Sequence, residues 1–324
     1  MIIHPNTQAN PYLVPSVTTD GEERLTGIEL EFLGLTIAQI ADVIADAFKG
    51  ETQLVHQHLS TVETSDYGSF RVELDCRLMQ KLAQETIENK GLSKAIDAVL
   101  SPMVTQVAPF EIVTPPLDAD GIEMLDACVK TLRLLGAQGT SAHPLHAFGM
   151  HINPEIAAKD AGYLLSVIQA YCLLHDELAA DMDLTRKATS FAGAYPLAYT
   201  RLVLQPDYSP TLGELIDDYL HYNPTRDRGL DMLPCFMHLD APRIRQAIDD
   251  PLVKPRPTFH FRLPNCKIDE ANWSITDELN QWRKVEALAA DKVALQTASQ
   301  NFLETKAESW WFMQSSKESG SWLM

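Results

Sequence analysis

Several common features are missing from this 324-residue sequence, and each absence excludes a class of protein. The 5 cysteines are dispersed and form no CxxC pair, which indicates reduced thiols rather than a disulfide framework. No run of about 18 apolar residues occurs, so no transmembrane helix is expected. Residues 1–15 lack the basic and apolar regions of a secretory signal. We therefore expect a cytoplasmic protein.

Positive charge is also scarce. The chain has 26 Lys and Arg against 44 Asp and Glu, which gives a net charge of −18 and a pI near 4.9. This balance argues against a nucleic-acid partner, since such binding relies on positive charge that neutralises phosphates. It argues equally against docking on an anionic membrane surface. A nucleotide substrate stays open, because a divalent metal reverses the local sign of the field.

The glycine-rich loops that usually hold phosphates are absent. The sequence contains no GxxxxGK[ST] loop, no GxGxxG after a predicted strand, and no protein-kinase motif set. If ATP binds to this chain, we expect it to bind through metals on a sheet face.

What the sequence does contain is an alternating stretch at residues 27–32, Gly-Ile-Glu-Leu-Glu-Phe. Successive side chains of a strand point to opposite faces, so Glu29 and Glu31 would stand side by side, opposite three core residues. Two adjacent carboxylates repel each other unless a cation or basic group lies between them. Taken alone, the stretch favours a solvated acidic face, and its meaning depends on partners elsewhere in the chain.

The pattern along the chain predicts one domain, since no repeat or low-complexity linker interrupts it. We expect a lead-in over 1–24, a single domain over 25–309 and a C-terminal tail over 310–324, either disordered or used for docking. Residues 53–77 predict a hairpin or short meander, and further strands are expected at 110–114, 147–153 and 258–263. Helices are expected over 37–49, 78–89, 92–100, 121–135, 160–181, 211–221 and 276–309. The long last helix and the aromatic tail are candidate contacts of a homo-oligomer.

Five predicted strands share one design, with an apolar face opposite a face of ionisable or polar residues. If all five lie in one sheet with helices over the apolar face, the other face collects Glu29, Glu31, Glu73, Asp75, Glu111, His151, Asn153, His260 and Arg262. Water-accessible, carboxylate-rich sites suit Mg²⁺ or Mn²⁺, and two such ions serve phosphoryl transfer from ATP. Arg71, Arg77 and Arg262 are candidate phosphate contacts, and Asn153 is a further cofactor-binding candidate.

Taken in order, these stretches resemble the amidoligase family. The motifs are GxExE at 27–31, VELD at 72–75, FEIVTPPL at 110–117, GxHIN at 149–153 and FHFR at 259–262. Together they span roughly residues 25–265, and the GxExE and ExVTPP pieces are the most specific. The family is a branch of the carboxylate–amine ligases, similar in fold to glutamine synthetase and glutamate–cysteine ligase.

The resemblance implies an α+β fold of the glutamine synthetase type. In such a fold, a curved, mainly antiparallel sheet carries the active site on one face and helices on the other. It also implies an ATP-dependent ligase that joins a carboxylate to an amine through an acyl phosphate. ATP and Mg²⁺ or Mn²⁺ would be the cofactors, and small molecules or peptides would supply the carboxylate and the amine.

The family motifs assign roles residue by residue. Glu29, Glu31 and Glu111 match the metal-binding acids, and His151 matches the histidine of the GxH strand. Arg262 matches the arginine of the last strand and is expected near the transferred phosphate. Asp66, Glu73 and Asp75 are the alternatives for the second-strand acid. We favour Glu73 and Asp75, because these two share a face with the arginines.

The last strand departs from the superfamily pattern. The usual Glu-x-Arg is replaced here by His260-Phe261-Arg262. Histidine binds Mn²⁺ or Zn²⁺ but is a poor Mg²⁺ ligand, so His260 is a metal candidate that leaves metal identity and turnover open. Two alternatives to a ligase stay open, and His260 favours the second of them. One is a metal-dependent hydrolase that uses His151 and the acids, and the other is a non-catalytic, ligase-like binding subunit.

Overall fold

Strand β1 (Thr26–Phe32) lies between two antiparallel neighbours and carries the alternating stretch predicted from the sequence. The computed structural model describes residues 10–56, 58–74, 109–142, 148–182 and 193–319, the last of these as backbone only beyond residue 305. The predicted helices over 78–89 and 92–100 lie outside the described residues.

The sheet has six strands in the described part of the chain. Its order is β2-β3-β4-β5-β1-β6, and the paired strands are antiparallel. The other strands are β2 (Glu51–His56), β3 (Leu59–Thr64), β4 (Gly68–Leu74), β5 (Phe110–Val113) and β6 (Met150–Pro154). Strands β2, β3 and β4 form the meander that the sequence predicts.

The fifth predicted strand, 258–263, extends the sheet beyond β6 without forming a continuous strand. The backbones of Ile152 and Phe261 exchange two hydrogen bonds of 2.9 Å each. Residues directly opposite in an antiparallel pair share a face, so His260 and Arg262 lie on the same face as His151. On its far side the segment bonds to residues 229–231, through Arg262 N to Gly229 O and Asp231 N to the His260 oxygen.

Nine α-helices are found in the described segments. They are α1 (Ile37–Phe48), α2 (Ala119–Leu134), α3 (Ala161–Asp181), α4 (Leu197–Val203), α5 (Leu212–Tyr222), α6 (Leu233–Leu239), α7 (Ala241–Ala247), α8 (Ile275–Ala290) and α9 (Lys292–Ser319). The helix predicted over 276–309 is divided at Asp291, and α9 continues through most of the predicted tail. None of these helices combines the length and apolar character needed to cross a membrane.

Local signals explain where α1 begins and ends. Thr36 caps its first turn and forms a reciprocal capping box with Gln39. Lys49, the last residue of the predicted helix, adopts the left-handed conformation that ends α1, with φ of 53°. Gly50 is required because a Cβ there would lie 2.6 Å from the Val62 side chain on β3.

The helices cover the apolar face of the sheet, as predicted. Ile28, Leu30 and Phe32 of β1 are fully buried in a single core. At one end of the sheet the Phe48 ring of α1 packs on Phe70 of β4, with ring centroids 4.5 Å apart. At the other end the Trp282 ring of α8 lies 5.3 Å from Phe261, between centroids. The chain is therefore an α+β protein with its helical layer on one side of an antiparallel sheet.

A buried ion pair fixes α8 against the start of β1. A side-chain nitrogen of Arg24 donates to Glu286 at 2.6 Å, and both side chains are completely buried. Glu286 also accepts a 2.6 Å hydrogen bond from the backbone of Val14. This network ties the N-terminal lead-in, the acid-bearing strand and the helical layer together.

Candidate functional site

The sheet register places the predicted acids directly opposite one another. Glu31 on β1 lies opposite Glu111 on β5, and Glu111 lies opposite Glu73 on β4. One row therefore carries three carboxylates across three strands. Like charges directly opposite in a sheet are destabilising, so this row favours a cation near it.

Glu29 lies in the next row, opposite His151. The residue is 4% exposed, and its carboxylate accepts from three side chains: His151 Nδ1 at 2.8 Å, Asn153 Nδ2 at 3.3 Å and Arg256 at 3.0 Å. Burial alone would raise the pKa of this carboxyl. The hydrogen bond from His151 and the charges of His151, His260 and Arg256 oppose that effect, so the pKa lies well below its ordinary value. Glu29 is thus an anion at neutral pH.

Gly149 lies beside both Glu31 and His151. Its backbone N–H donates to Glu31 Oε2 at 2.9 Å. A Cβ at this position would lie 3.1 Å from His151 Nε2 and 3.6 Å from Glu31 Oε2. The glycine of the GxH motif therefore leaves room where the imidazole and the carboxylate approach each other.

His260 is held from behind by a buried acid. Its Nδ1 lies 3.4 Å from Asp231 Oδ2, and Asp231 is completely buried. The His260 and His151 rings meet edge to face with centroids 5.2 Å apart. Burial lowers the pKa of His260 to about 4, so the ring is neutral at pH 7. Its Nε2 is buried and has no hydrogen-bond partner within the described structure.

All five predicted metal candidates converge in two overlapping clusters. One cluster is Glu29, His151 and His260, and the other is Glu31, Glu111 and His151. Within each cluster the potential ligand atoms lie within 4.8 Å of one another. These side chains do not lie on a water-accessible face as expected, because four of the five are buried and only Glu31 is partly exposed.

The other predicted site residues lie around these clusters. Glu73 ends the carboxylate row and pairs with the exposed Arg71 at 3.1 Å. Arg262 is close enough for its charge to contribute to the lowered pKa of His260, and it donates to the backbone oxygen of Arg226. Asp66 lies in the turn between β3 and β4, at the opposite end of β4 from Glu73. Asp75 and Arg77 lie outside the described residues.

The sequence interpretation missed two residues that contact the clusters. Arg256 pairs with Glu29, and its side chain is 41% exposed. Arg256 continues the period-two pattern of Thr258, His260 and Arg262, so a predicted strand that began at residue 256 would have placed Arg256 on the same face as these residues. Asp231 carries no such local signal, since it comes from a separate segment that meets His260 only in the folded chain.

A cavity of about 310 Å³ borders the Glu29 cluster. Leu25, Val113, Pro116 and Pro257 contribute apolar groups to its lining, and its polar lining residues are Glu29, Thr114, Asn153, Glu155, Arg256 and Thr258. Ligand sites in proteins are commonly concave and largely apolar, with a few polar groups that fix orientation. The cavity therefore has the character of a small-molecule site next to buried acids.

Fold and site together define an α+β protein whose antiparallel sheet carries buried carboxylates and imidazoles on the face opposite its helices. A family model described as "Putative amidoligase enzyme" matches residues 22–283. Because the match covers most of the chain, the protein belongs to this amidoligase family, which confirms the resemblance found in the sequence. Membership supports a ligase activity. No curated protein and no solved structure matches the chain.

Proposed function

We propose that the protein is an ATP- and divalent-metal-dependent ligase that joins a carboxylate to an amine. An oxygen of the substrate carboxylate attacks the γ-phosphorus of ATP, and ADP leaves. The amine nitrogen then attacks the carbon of the acyl phosphate, inorganic phosphate departs, and the nitrogen loses a proton as the amide forms. Small molecules and peptides are the substrate classes that this chemistry admits.

One observation carries the proposal: five residues from four separate segments converge on one sheet face. Glu29, Glu31, Glu111, His151 and His260 would hold the metals, and their mixed oxygen and nitrogen donors fit divalent ions. Bound divalent ions bridge phosphate oxygens and offset the charge that develops during phosphoryl transfer. Two features support a bound cation over a purely structural cluster: the opposed carboxylates, and the Nε2 of His260, which has no hydrogen-bond partner in the part of the chain that the structure describes.

Cationic residues surround the acids at positions suited to phosphate. Arg262 lies beside His260, and its Nε is buried without a hydrogen-bond partner in the described structure. Arg256 reaches Glu29 while keeping part of its side chain exposed, so one guanidinium can contact both the acid and an incoming anion. Arg71 and Glu73 lie further out, where they would orient substrate groups at the edge of the row.

The cavity beside Glu29 suits the nucleoside part of ATP. Its apolar lining residues would bury the flat base, and Glu29 is part of the same lining. Asn153 borders both the cavity and Glu29, and it has a buried Oδ1 that lacks a hydrogen-bond partner in the described residues. This arrangement would direct the phosphates toward the metal-binding side chains and the substrate toward the Glu31–Glu111 row.

Calorimetric titration of the full chain with Mn²⁺ and a non-hydrolysable ATP analogue tests the proposal. We expect saturable binding that requires the metal, and at least about tenfold weaker binding in Glu29→Gln and Glu31→Gln, a loss of about 1.4 kcal/mol or more. Glu51→Gln is the matched control, because Glu51 is exposed on the edge strand β2, outside the clusters. No binding to the intact protein, or equal binding in all variants, would refute the proposal.

The imidazole-rich cluster is also compatible with a second enzymatic function. A metal-dependent hydrolase built on Glu29, His151 and His260 would cleave its substrate without ATP. Amine-dependent release of phosphate from ATP distinguishes the two, since only the ligase couples them. Nucleotide binding without turnover on any amine would instead indicate a ligase-like binding subunit.

A further inference from the structure

The Glu29 cluster differs in donor type from an ordinary magnesium site. It offers one carboxylate and two imidazoles, whereas Mg²⁺ prefers oxygen ligands and retains several waters. Its second imidazole comes from His260, which replaces the glutamate that the family resemblance implies at this position. The chemistry of this single position therefore bears on which ion the cluster holds.

The donor atoms are already close to the spacing that one ion needs. Bonds of about 2.0–2.2 Å to a tetrahedral or octahedral ion place its ligand atoms about 3–4.4 Å apart. The three potential ligand atoms here lie within 4.8 Å of one another. The two imidazoles approach each other edge to face, with centroids 5.2 Å apart.

Asp231 orients His260 for ligation. A carboxylate can only accept, so the Nδ1 facing Asp231 carries the proton and Nε2 keeps its lone pair. Among the described residues that Nε2 finds no hydrogen-bond partner, and His260 is only 3% exposed. A carboxylate behind a ligating histidine is the usual arrangement that fixes the ring and strengthens it as a ligand.

His151 and Glu29 meet where a single ion would lie. The Nδ1 of His151 lies 2.8 Å from Glu29 Oε2, so these two atoms would be the donors that face the ion. The other ring nitrogen, Nε2, faces the Glu31 side, since a Cβ at Gly149 would lie 3.1 Å from that nitrogen and 3.6 Å from Glu31 Oε2. Both imidazoles thereby have a carboxylate on the side away from the ion.

We propose that Glu29, His151 and His260 form a centre that selects a transition-metal ion of the Zn²⁺ or Co²⁺ type over Mg²⁺. The inference deepens the proposed ligase function and concerns the same site. Two neutral imidazoles favour borderline metals through nitrogen donation, and they supply less negative charge than the carboxylates on which Mg²⁺ relies. The Glu31–Glu111 pair, by contrast, keeps the oxygen donors that suit Mg²⁺ or Mn²⁺.

Co²⁺ titration of the full-length, metal-free protein in a large excess of Mg²⁺, without nucleotide, tests the selectivity. We expect about one Co²⁺ per chain to remain bound, with visible absorption typical of nitrogen ligands. His260→Glu should lower the preference for Co²⁺ over Mg²⁺ by about tenfold or more, and Asp231→Asn should weaken Co²⁺ binding by about 10–100-fold. His238→Gln, an exposed histidine on α6, should bind as the parent does.

Circular dichroism and thermal unfolding of each variant establish that it folds. If Mg²⁺ displaces Co²⁺ from the parent protein, or if folded His260→Glu retains the parent's selectivity, the proposal is overturned. Because no ATP is present, this result is independent of the ligase test. A selective Co²⁺ centre in a protein without amine-dependent ATP turnover would support the metal inference and refute the ligase function.

Discussion

Glu278 provides a direct test of how burial controls charge in this fold. The residue lies in the first turn of α8 and accepts a 2.9 Å hydrogen bond from the indole Nε1–H of Trp273. Burial raises its pKa from 4.5 to about 7, against the lowering effect of that hydrogen bond. The folded protein thus keeps a proton on Glu278 that the unfolded chain has already released.

The sign of the effect on stability follows from proton binding. Between pH 4.5 and about 7 the folded state binds more protons at this site than the unfolded state, so stability falls as pH rises through that window. The rise in the pKa of Glu278 from 4.5 to about 7 corresponds to a loss of stability of about 3 kcal/mol, which is fully present above pH 7 and absent below pH 4.5. About 2 kcal/mol of it would appear between pH 5.5 and 8.

Glu278→Gln removes the titration and keeps an oxygen that can accept from Trp273. We expect this variant to be about 3 kcal/mol more stable than the parent at about pH 8, and the gain to shrink as pH falls toward 5.5. Urea denaturation at several pH values measures it, with the exposed Glu304→Gln as control. A stability difference that does not change with pH, or a loss of stability at pH 8, would refute the reasoning.

Three further predictions follow from the structure. Arg24→Met leaves Glu286 buried without its cationic partner and should lower the free energy of unfolding, measured by urea denaturation, by about 3–5 kcal/mol. The double variant Arg24→Met/Glu286→Leu should recover much of that loss. A single variant with nearly unchanged stability would contradict a stabilising role of the buried pair. Thr36→Ala removes the cap of α1 and should lower the free energy of unfolding by about 1 kcal/mol, whereas Thr36→Ser should change it little. Gly149→Ala should weaken Mn²⁺ binding roughly tenfold, because the new Cβ would displace His151. Unchanged Mn²⁺ affinity would show that metal binding does not require a glycine at this position.

The periodic parts of the fold could be predicted because local sequence determines them. Alternation places Ile28 and Glu29 on opposite faces, and local capping boxes fix the starts of α1 and α5, at Thr36 and Thr211. Strand alternation and helix capping both depend on residues that are close to one another in the chain. The same logic gathered the acids and histidines on one face before their distances were known.

Burial and second contacts could not be predicted in this way. The sequence alone favoured a solvated face for Glu29, yet its carboxylate is buried and bonded to three side chains. Whether a polar face meets water depends on segments that fold over it from far along the chain. Arg256 reaches Glu29 across 227 positions, and Asp231 meets His260 across 29.

The proposed ligase function requires the sheet-face clusters to bind the metals that carry ATP. Anomalous diffraction from crystals soaked with Mn²⁺ and a non-hydrolysable ATP analogue would locate those metals. We expect anomalous peaks within about 2.0–2.3 Å of carboxylate oxygens of Glu29, Glu31 and Glu111, with nucleotide phosphates on the same ions. Nucleotide bound elsewhere, or ordered crystals without metal at these side chains, would contradict it.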